Sequence, residues 1–250
     1  MVEILTLVCS LIICIAIPVI IFMVLAIKNR DERKGIILLF VLGALFYAGM
    51  QWGIKQNGLQ YLFNHTDFIT FMSSHYIAYL FVVALFGAIF AVIPEVITVM
   101  LFKRQITFKQ AIAMGLGYTV SETGFLIGYP GVRTILEYTN NKDSKLNTTV
   151  GELLMSGYER ILLTIIGIAL IVSLIYFIEQ KMTVRGVIIK VLCQAVIAFM
   201  PGFLIAFSTK DMLEVFDRST SLIMVYVLMT AAAFSAVAVL NGLKWKMYEK

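Results

Sequence analysis

The sequence predicts an all-α integral membrane protein, a bundle of about seven transmembrane helices that forms a single domain over residues 1–250. Two observations carry this prediction. Apolar residues make up 60% of the chain and charged residues only 14%, and the mean hydropathy is +0.93. A soluble domain usually contains about 45–50% apolar and about 25% charged residues. This composition excludes an ordinary soluble enzyme, a disordered chain and a secreted domain held together by disulfides.

The number of spans follows from the length of the apolar runs. A helix needs about 20 apolar residues to cross a hydrocarbon layer of about 30 Å. The first run resembles a signal peptide in position, but it is too long and no small-residue cleavage site follows it, so we expect it to remain as a helix. The predicted spans are 4–27, 36–54, 76–102, 111–129, 160–178, 187–207 and 219–241.

Two of the connections are long. Residues 56–75 mix large apolar side chains with Asn57, His65 and Asp67, a composition typical of an interfacial or re-entrant segment. Residues 130–157 begin with Tyr-Pro-Gly and continue into a polar stretch, which predicts an irregular connection.

The orientation follows from the positions of Lys and Arg, because cytoplasmic connections carry more of them. The richer set of connections predicts an outside N-terminus and a cytoplasmic C-terminus in a plasma membrane, bacterial in type. The net charge of +5 then reflects topology and not a nucleic-acid partner. The richer set contains Lys28, Arg30, Arg33, Lys34, Lys103, Arg104, Lys109, Lys181, Arg185, Lys244, Lys246 and Lys250.

Two glutamates lie deep in predicted spans. A carboxylate at the bilayer centre costs about 2.5–3.5 kcal/mol on insertion scales, so its presence requires a reason. At helical rise, Glu95 lies about 12 Å and Glu122 about 20 Å from the predicted cytoplasmic ends of their spans. We expect the two carboxyl groups to face one polar pocket and to share a proton there. In the alternative interpretation, both serve only helix packing.

The span with Glu122 carries further polar and small residues. Tyr118 and Glu122 share one helical face, and Ser121 lies beside them. Gly124 and Gly128 have the spacing that allows another backbone to approach closely.

Three further features bear on the predicted pocket. Pro94 is expected to kink the preceding span next to Glu95. Glu159 and Arg160 open the fifth predicted span, either as part of the site or as interfacial charges that extend to water. No cysteine or histidine cluster with metal-ligand spacing occurs in the sequence, so we expect neither a metal nor another cofactor.

These residues resemble the YhfC-like membrane proteins, glutamic-type intramembrane proteases related to the CAAX-protease superfamily. The resemblance rests on residues 87–177. It comprises a span with Glu95, a Gly-x-Gly-x-x-x-x-Glu span that ends at Glu122, and Glu159-Arg160 in the next span. It implies a helical membrane fold and a general-base glutamate assisted by histidines.

The motifs depart from the family pattern at the residues that peptide cleavage would require. Only one glutamate of the expected Glu-Glu pair is present, Glu95, and Thr98 occupies the position of the family arginine. Tyr118 occupies the position of the first histidine, and no histidine follows Glu159-Arg160 in its span. The resemblance therefore supports the fold and argues against activity.

Three functions remain open. The first is a catalytically degenerate family member that binds a hydrophobic peptide, a transmembrane helix or a transporter subunit through Tyr118, Ser121 and Thr98. The second is an active protease that uses Glu95 and Glu122, with Glu159 and Arg160 as further catalytic remnants. The third is an ion- or proton-coupled transporter, against which stands the lack of an inverted repeat. In all three the lipid bilayer is the surrounding partner.

Overall fold

The fold is all-α, as the composition predicts. A computed structural model describes residues 2–102, 106–140, 150–206 and 217–248, which are 93% helical and contain no strand. The helices are α1 (Val2–Leu11), α2 (Ile17–Lys28), α3 (Arg33–Phe46), α4 (Gln56–Phe63), α5 (Thr66–Ser74), α6 (Tyr76–Leu101), α7 (Phe108–Thr123), α8 (Tyr129–Asn140), α9 (Val150–Glu179), α10 (Thr183–Ala206) and α11 (Arg218–Tyr248).

Three π-helical segments join consecutive helices without a break. Ile12–Ala16 connects α1 to α2, Tyr47–Lys55 connects α3 to α4, and Gly124–Gly128 connects α7 to α8. A π turn holds one more residue than an α turn and changes the direction of the side chains after it. Each joined pair therefore runs as one long helix with a shifted face.

Six helices in the described part of the chain are long and apolar enough to cross a membrane. They coincide with six of the seven predicted spans, and most of their residues are not buried inside the bundle, as lipid-facing helices require. The six are Thr6–Lys28, Arg33–Phe63, Tyr76–Leu101, Leu153–Glu179, Thr183–Ala206 and Ser219–Met247.

The remaining predicted span, 111–129, is helical but is not one of these six. Its helix α7 is the most buried of the bundle and packs against α3 and α9. A helix surrounded by other helices needs small residues for close packing more than it needs apolar bulk. Small and polar residues accordingly make α7 less apolar than its lipid-facing neighbours.

Glycines set the contact between α3 and α7. A Cβ added at Gly117 would lie 1.9 Å from the carbonyl oxygen of Phe40, and one added at Gly43 would lie 2.1 Å from that of Met114. The backbones therefore touch at these positions. The prediction that Gly124 provides such a contact is wrong, because a Cβ there would meet nothing within 4 Å.

The relative directions of neighbouring helices follow from their contacts. Glu95 of α6 pairs with Lys190 of α10, and a Cβ at Gly202 of α10 would meet Leu80 of α6, so these two helices are antiparallel. Helices α7 and α9 are likewise antiparallel, whereas α3 and α7 are parallel. The N-terminal end of α10 therefore lies at the opposite end of the bundle from α4 and α5.

The start of α7 is fixed by side chains from two other parts of the chain. Thr107 caps the helix by accepting from the Gln110 backbone N–H at 3.4 Å, and it donates to the Glu32 carboxylate. Lys109 Nζ lies 3.1 Å from Glu32 Oε1, and the Ile106 N–H donates to Glu179 Oε1 at 3.0 Å. Burial raises the pKa of Glu32, but the hydrogen bonds from Thr107 and Lys109 outweigh burial and hold the pKa below its ordinary value.

Three predicted boundaries are wrong. The second span does not end at residue 54, since its helix continues to Phe63, and only Asn64 and His65 separate α4 from α5. Residues 130–140 are helical, because the π-helical segment Gly124–Gly128 runs directly into α8 and the helix continues past Pro130. Helix α9 begins at Val150, before the predicted 160; residues 141–149 lie outside the described part.

Candidate functional site

A polar cavity of about 310 Å³ lies inside the bundle, between α6, α7, α9, α10 and α11. Five residues singled out from the sequence line it, and the structure adds Lys190 and Gln194 of α10. The five are Glu95, Tyr118, Glu122, Glu159 and Arg160. Four helices, α6, α7, α9 and α10, thus bring their acidic and basic residues to one cavity.

Glu95 and Lys190 form a buried ion pair at one end of the polar cavity. Lys190 Nζ donates to Glu95 Oε2, and the exposed fraction is 3% for the Lys190 side chain and 2% for the Glu95 side chain. Burial of a single charge in a low-dielectric interior costs several kcal/mol, which an opposite charge at contact distance offsets. The pair therefore fixes α6 against α10 and makes both charges tolerable inside the bundle.

Glu122 and Arg160 form a looser pair. Arg160 Nη1 lies 3.8 Å from Glu122 Oε1, which is beyond hydrogen-bond distance, and the exposed fractions are 18% for Arg160 and 29% for Glu122. The buried Nε of Arg160 has no hydrogen-bond partner among the described residues. Arg160 thus retains donor capacity at the wall of the polar cavity.

A second, wider cavity of about 890 Å³ adjoins the first and is lined by Lys55 and residues of α4, α6, α7 and α10. Tyr118, Glu122 and Gln194 line both cavities. Lys55 lies over Gly87 of α6, since a Cβ added there would be 2.6 Å from Lys55 Nζ. The absence of a side chain at Gly87 therefore makes the space that Lys55 occupies.

The charges around the two cavities balance. Among the described lining residues three are acidic and three are basic: Glu95, Glu122, Glu159, Lys55, Arg160 and Lys190. This corrects one expectation from the sequence. Glu95 and Glu122 do line one site, but each has its own cation, so neither needs to share a proton with the other to be stable there.

Two of the predicted binding residues do not line either cavity. The Thr98 side chain is buried, and its hydroxyl donates to the carbonyl oxygen of Pro94 at 2.9 Å. Its hydrogen bond is therefore made within α6. Ser121 is half-buried and lies beside the cavity face of α7. Tyr118 does line both cavities, and its ring contacts Tyr47 edge-on at 5.4 Å between centroids.

Two cations of the site, Lys55 and Lys190, are not among the site residues predicted from the sequence. Lys190 lies in the run Val187-Ile188-Ile189-Lys190-Val191, and a cation inside a predicted span is as unusual as a carboxylate. The predicted second span ends at residue 54, just before Lys55, because the apolar run stops there, although the helix continues to Phe63. A search of the predicted spans for cations as well as anions would have found Lys190.

The histidines of the chain lie away from the cavities. The sequence contains two, His65 and His75, which flank α5 and line neither cavity. Within the described ranges, no three His, Cys, Asp or Glu side chains come close enough to hold a metal ion.

Comparison with protein-family models, curated proteins and solved structures finds no match to this chain.

Proposed function

We propose that the protein is a catalytically degenerate relative of the YhfC-like intramembrane proteases that binds a membrane-embedded partner. The partner is a hydrophobic peptide, a transmembrane helix or a transporter subunit. The polar cavity receives a polar group of that partner, while the apolar surface of the bundle contacts the rest of it.

The buried Glu95–Lys190 pair carries this proposal. A general base must reach the proton that it removes, directly or through one water. The Glu95 carboxylate instead contacts an ammonium group, and hardly any of its surface is accessible. With Tyr118 in place of the family histidine, this part of the site offers neither a free base at Glu95 nor the histidine that the family motif uses.

Glu122 carries the alternative, an active protease. It is more exposed than Glu95, it borders both cavities, and its ion pair with Arg160 is loose. In an active enzyme, Glu122 would be the base and Arg160 would stabilise the developing negative charge.

Reconstituted protein distinguishes the two functions. Suitable probes are synthetic helices of about 20 leucine and alanine residues, with or without one central glutamine, each carrying a photo-crosslinker. We expect the glutamine peptide to crosslink more strongly, with no cleavage by wild type, Glu95→Gln or Glu122→Gln. Cleavage by wild type that either variant abolishes would establish a protease.

Two alanines give a matched control for the binding site. Both are exposed, but Ala198 of α10 lines both cavities, whereas Ala238 of α11 lines neither. Ala198→Phe fills the cavities and should reduce crosslinking of the glutamine peptide, while Ala238→Phe should not. Equal crosslinking by both variants would contradict the proposed site.

The proposed orientation has the N-terminus outside and the C-terminus in the cytoplasm of a bacterial plasma membrane. The excess of Lys and Arg in alternate connections supports it. Reporter fusions after Lys34, Asn141 and Lys250 test it: we expect cytoplasmic signals at Lys34 and Lys250 and an external signal at Asn141. A cytoplasmic signal at Asn141 would reverse the orientation.

A further inference from the structure

The two cavities share lining residues, among them Tyr118, Glu122 and Gln194, and one end of the wider cavity reaches an exposed polar surface. Gln56, Gln60 and Asn64 line the wider cavity at intervals of four residues, so they form one polar stripe along α4 and its C-terminal end. All three are exposed. The stripe leads from the α4 end of the bundle inward to Lys55 and Glu122.

The opposite end is closed. Beyond the Glu95–Lys190 pair, toward the start of α7, an apolar core fills the space between α6, α7 and α9. Its members include Val99, Phe108 and Ile175. Packed apolar side chains leave no room for water, whereas a polar space of several hundred Å³ takes up many water molecules.

We infer that the adjoining cavities form one water-filled vestibule, which opens at the α4 end and terminates at the Glu95–Lys190 pair. Small hydrophilic and charged solutes enter it from that end as hydrated species. The inference about the ligand rests on the proposed function: the polar group of the partner would enter from the α4 end, which the sequence predicts to face outside. The vestibule itself does not depend on any partner.

Helix α10 supplies a matched pair of positions for the test. Gln194 lines both cavities, whereas its neighbour Cys193 is exposed on the outer surface of the bundle among apolar side chains such as Leu192 and Val196. The two positions are consecutive in the chain, so they lie at almost the same depth. One faces the proposed vestibule, and the other faces lipid.

The experiment measures modification of single cysteines by a charged, membrane-impermeant methanethiosulfonate reagent added outside sealed vesicles. A chain in which Cys9 and Cys14 are replaced by alanine and Cys193 is kept is compared with Gln194→Cys in a chain whose three native cysteines are all replaced by alanine. Only a thiolate reacts, and hydrocarbon opposes its formation, so we expect Gln194→Cys to react at least about tenfold faster than Cys193.

Two exposed positions report on sidedness. Asn64→Cys marks the α4 end, and Arg185→Cys marks the opposite end, near the start of α10. Across vesicle preparations that differ in protein orientation, the labelled fraction of Gln194→Cys should follow that of Asn64→Cys. Labelling that follows Arg185→Cys would place the opening at the other end and overturn the inference.

Ala198→Cys provides a second vestibule position if Gln194→Cys fails to fold. A reaction as slow as that of Cys193 at whichever of these two positions gives folded protein would show that no vestibule exists. This outcome is distinct from a failure of peptide crosslinking, because the labelling requires no ligand. Fast labelling without crosslinking would retain the vestibule and reject the proposed partner.

Discussion

Lys190 of α10 donates to the carboxylate of Glu95 of α6, and both side chains are almost completely buried. The two helices are far apart in sequence, and this contact joins them at the closed end of the polar cavity. The pair lets two charges exist in the interior of the bundle, and the expected effects of removing either charge follow from it.

Removal of one partner should be more damaging than removal of both. Lys190→Met leaves Glu95 as an uncompensated buried charge, and the loss of one partner of such a pair typically costs about 3–5 kcal/mol. The double variant Glu95→Met/Lys190→Met should recover most of this loss. Thermal unfolding in detergent measures the effect, with exposed Lys244→Met as the control. A single variant as stable as wild type would contradict the buried pair.

Substitution of Glu122 should cost less than substitution of Glu95. Glu122 is partly exposed and lies 3.8 Å from Arg160 without a hydrogen bond. Partly solvated ion pairs contribute roughly 0–1 kcal/mol, so Glu122→Gln should lower the unfolding free energy by no more than about 1 kcal/mol. Glu95→Gln should cost several times more. The reverse order in the same unfolding assay would show that the Arg160 pair dominates.

Replacement of Gly117 by alanine should disrupt the contact between α3 and α7. A Cβ there would lie 1.9 Å from a backbone oxygen that cannot rotate away, and overpacking of this kind costs about 1–3 kcal/mol. Gly242→Ala is the matched control, because a Cβ at Gly242 meets nothing within 4 Å and alanine favours helix. Gly117→Ala should unfold at a lower temperature than Gly242→Ala, and equal melting temperatures would contradict the backbone contact.

Glu32 should make the stability of the folded protein depend on pH. Its pKa is lowered in the folded protein, so its contribution is present above the ordinary carboxyl pKa of 4.5 and is lost as the pH falls through the lowered value. Wild type should be more stable than Glu32→Gln at neutral pH, and the difference should shrink below about pH 4.5. Unfolding midpoints between pH 7 and pH 3 measure this difference. Asp31→Asn, which changes an exposed neighbouring carboxylate, is the control.

The sequence predicted which helices exist and how deep most polar groups lie, because both follow from position along an apolar run. It placed Glu95, Tyr118 and Glu122 at depths that the structure brings to one cavity. It could not predict which cation faces each carboxylate. The pairing of cations with carboxylates depends on how each helix is rotated about its axis and on which helices are neighbours. Hydropathy along the chain gives no information on either.

The errors at helix ends have a related physical cause. Tyr129-Pro130-Gly131 is a turn signal in water, where exposed backbone groups find partners in solvent. The preceding helix widens into a π turn over Gly124–Gly128 and then continues through the proline. Lys55 was misplaced for the opposite reason: a charged residue ends an apolar run, yet its helix extends to Phe63.

The backbone contacts at Gly43 and Gly117 hold α7, one wall of the vestibule, rigidly against α3 behind it, since touching backbones cannot slide past one another without a clash. The opposite wall is made by α6 and α10, and each contains an internal proline, Pro94 and Pro201, which removes one hydrogen bond of its helix. A helix bends at such a point with less resistance. A guest larger than the resting space would therefore be accommodated by hinge bending of α6 and α10, while α3 and α7 hold their positions.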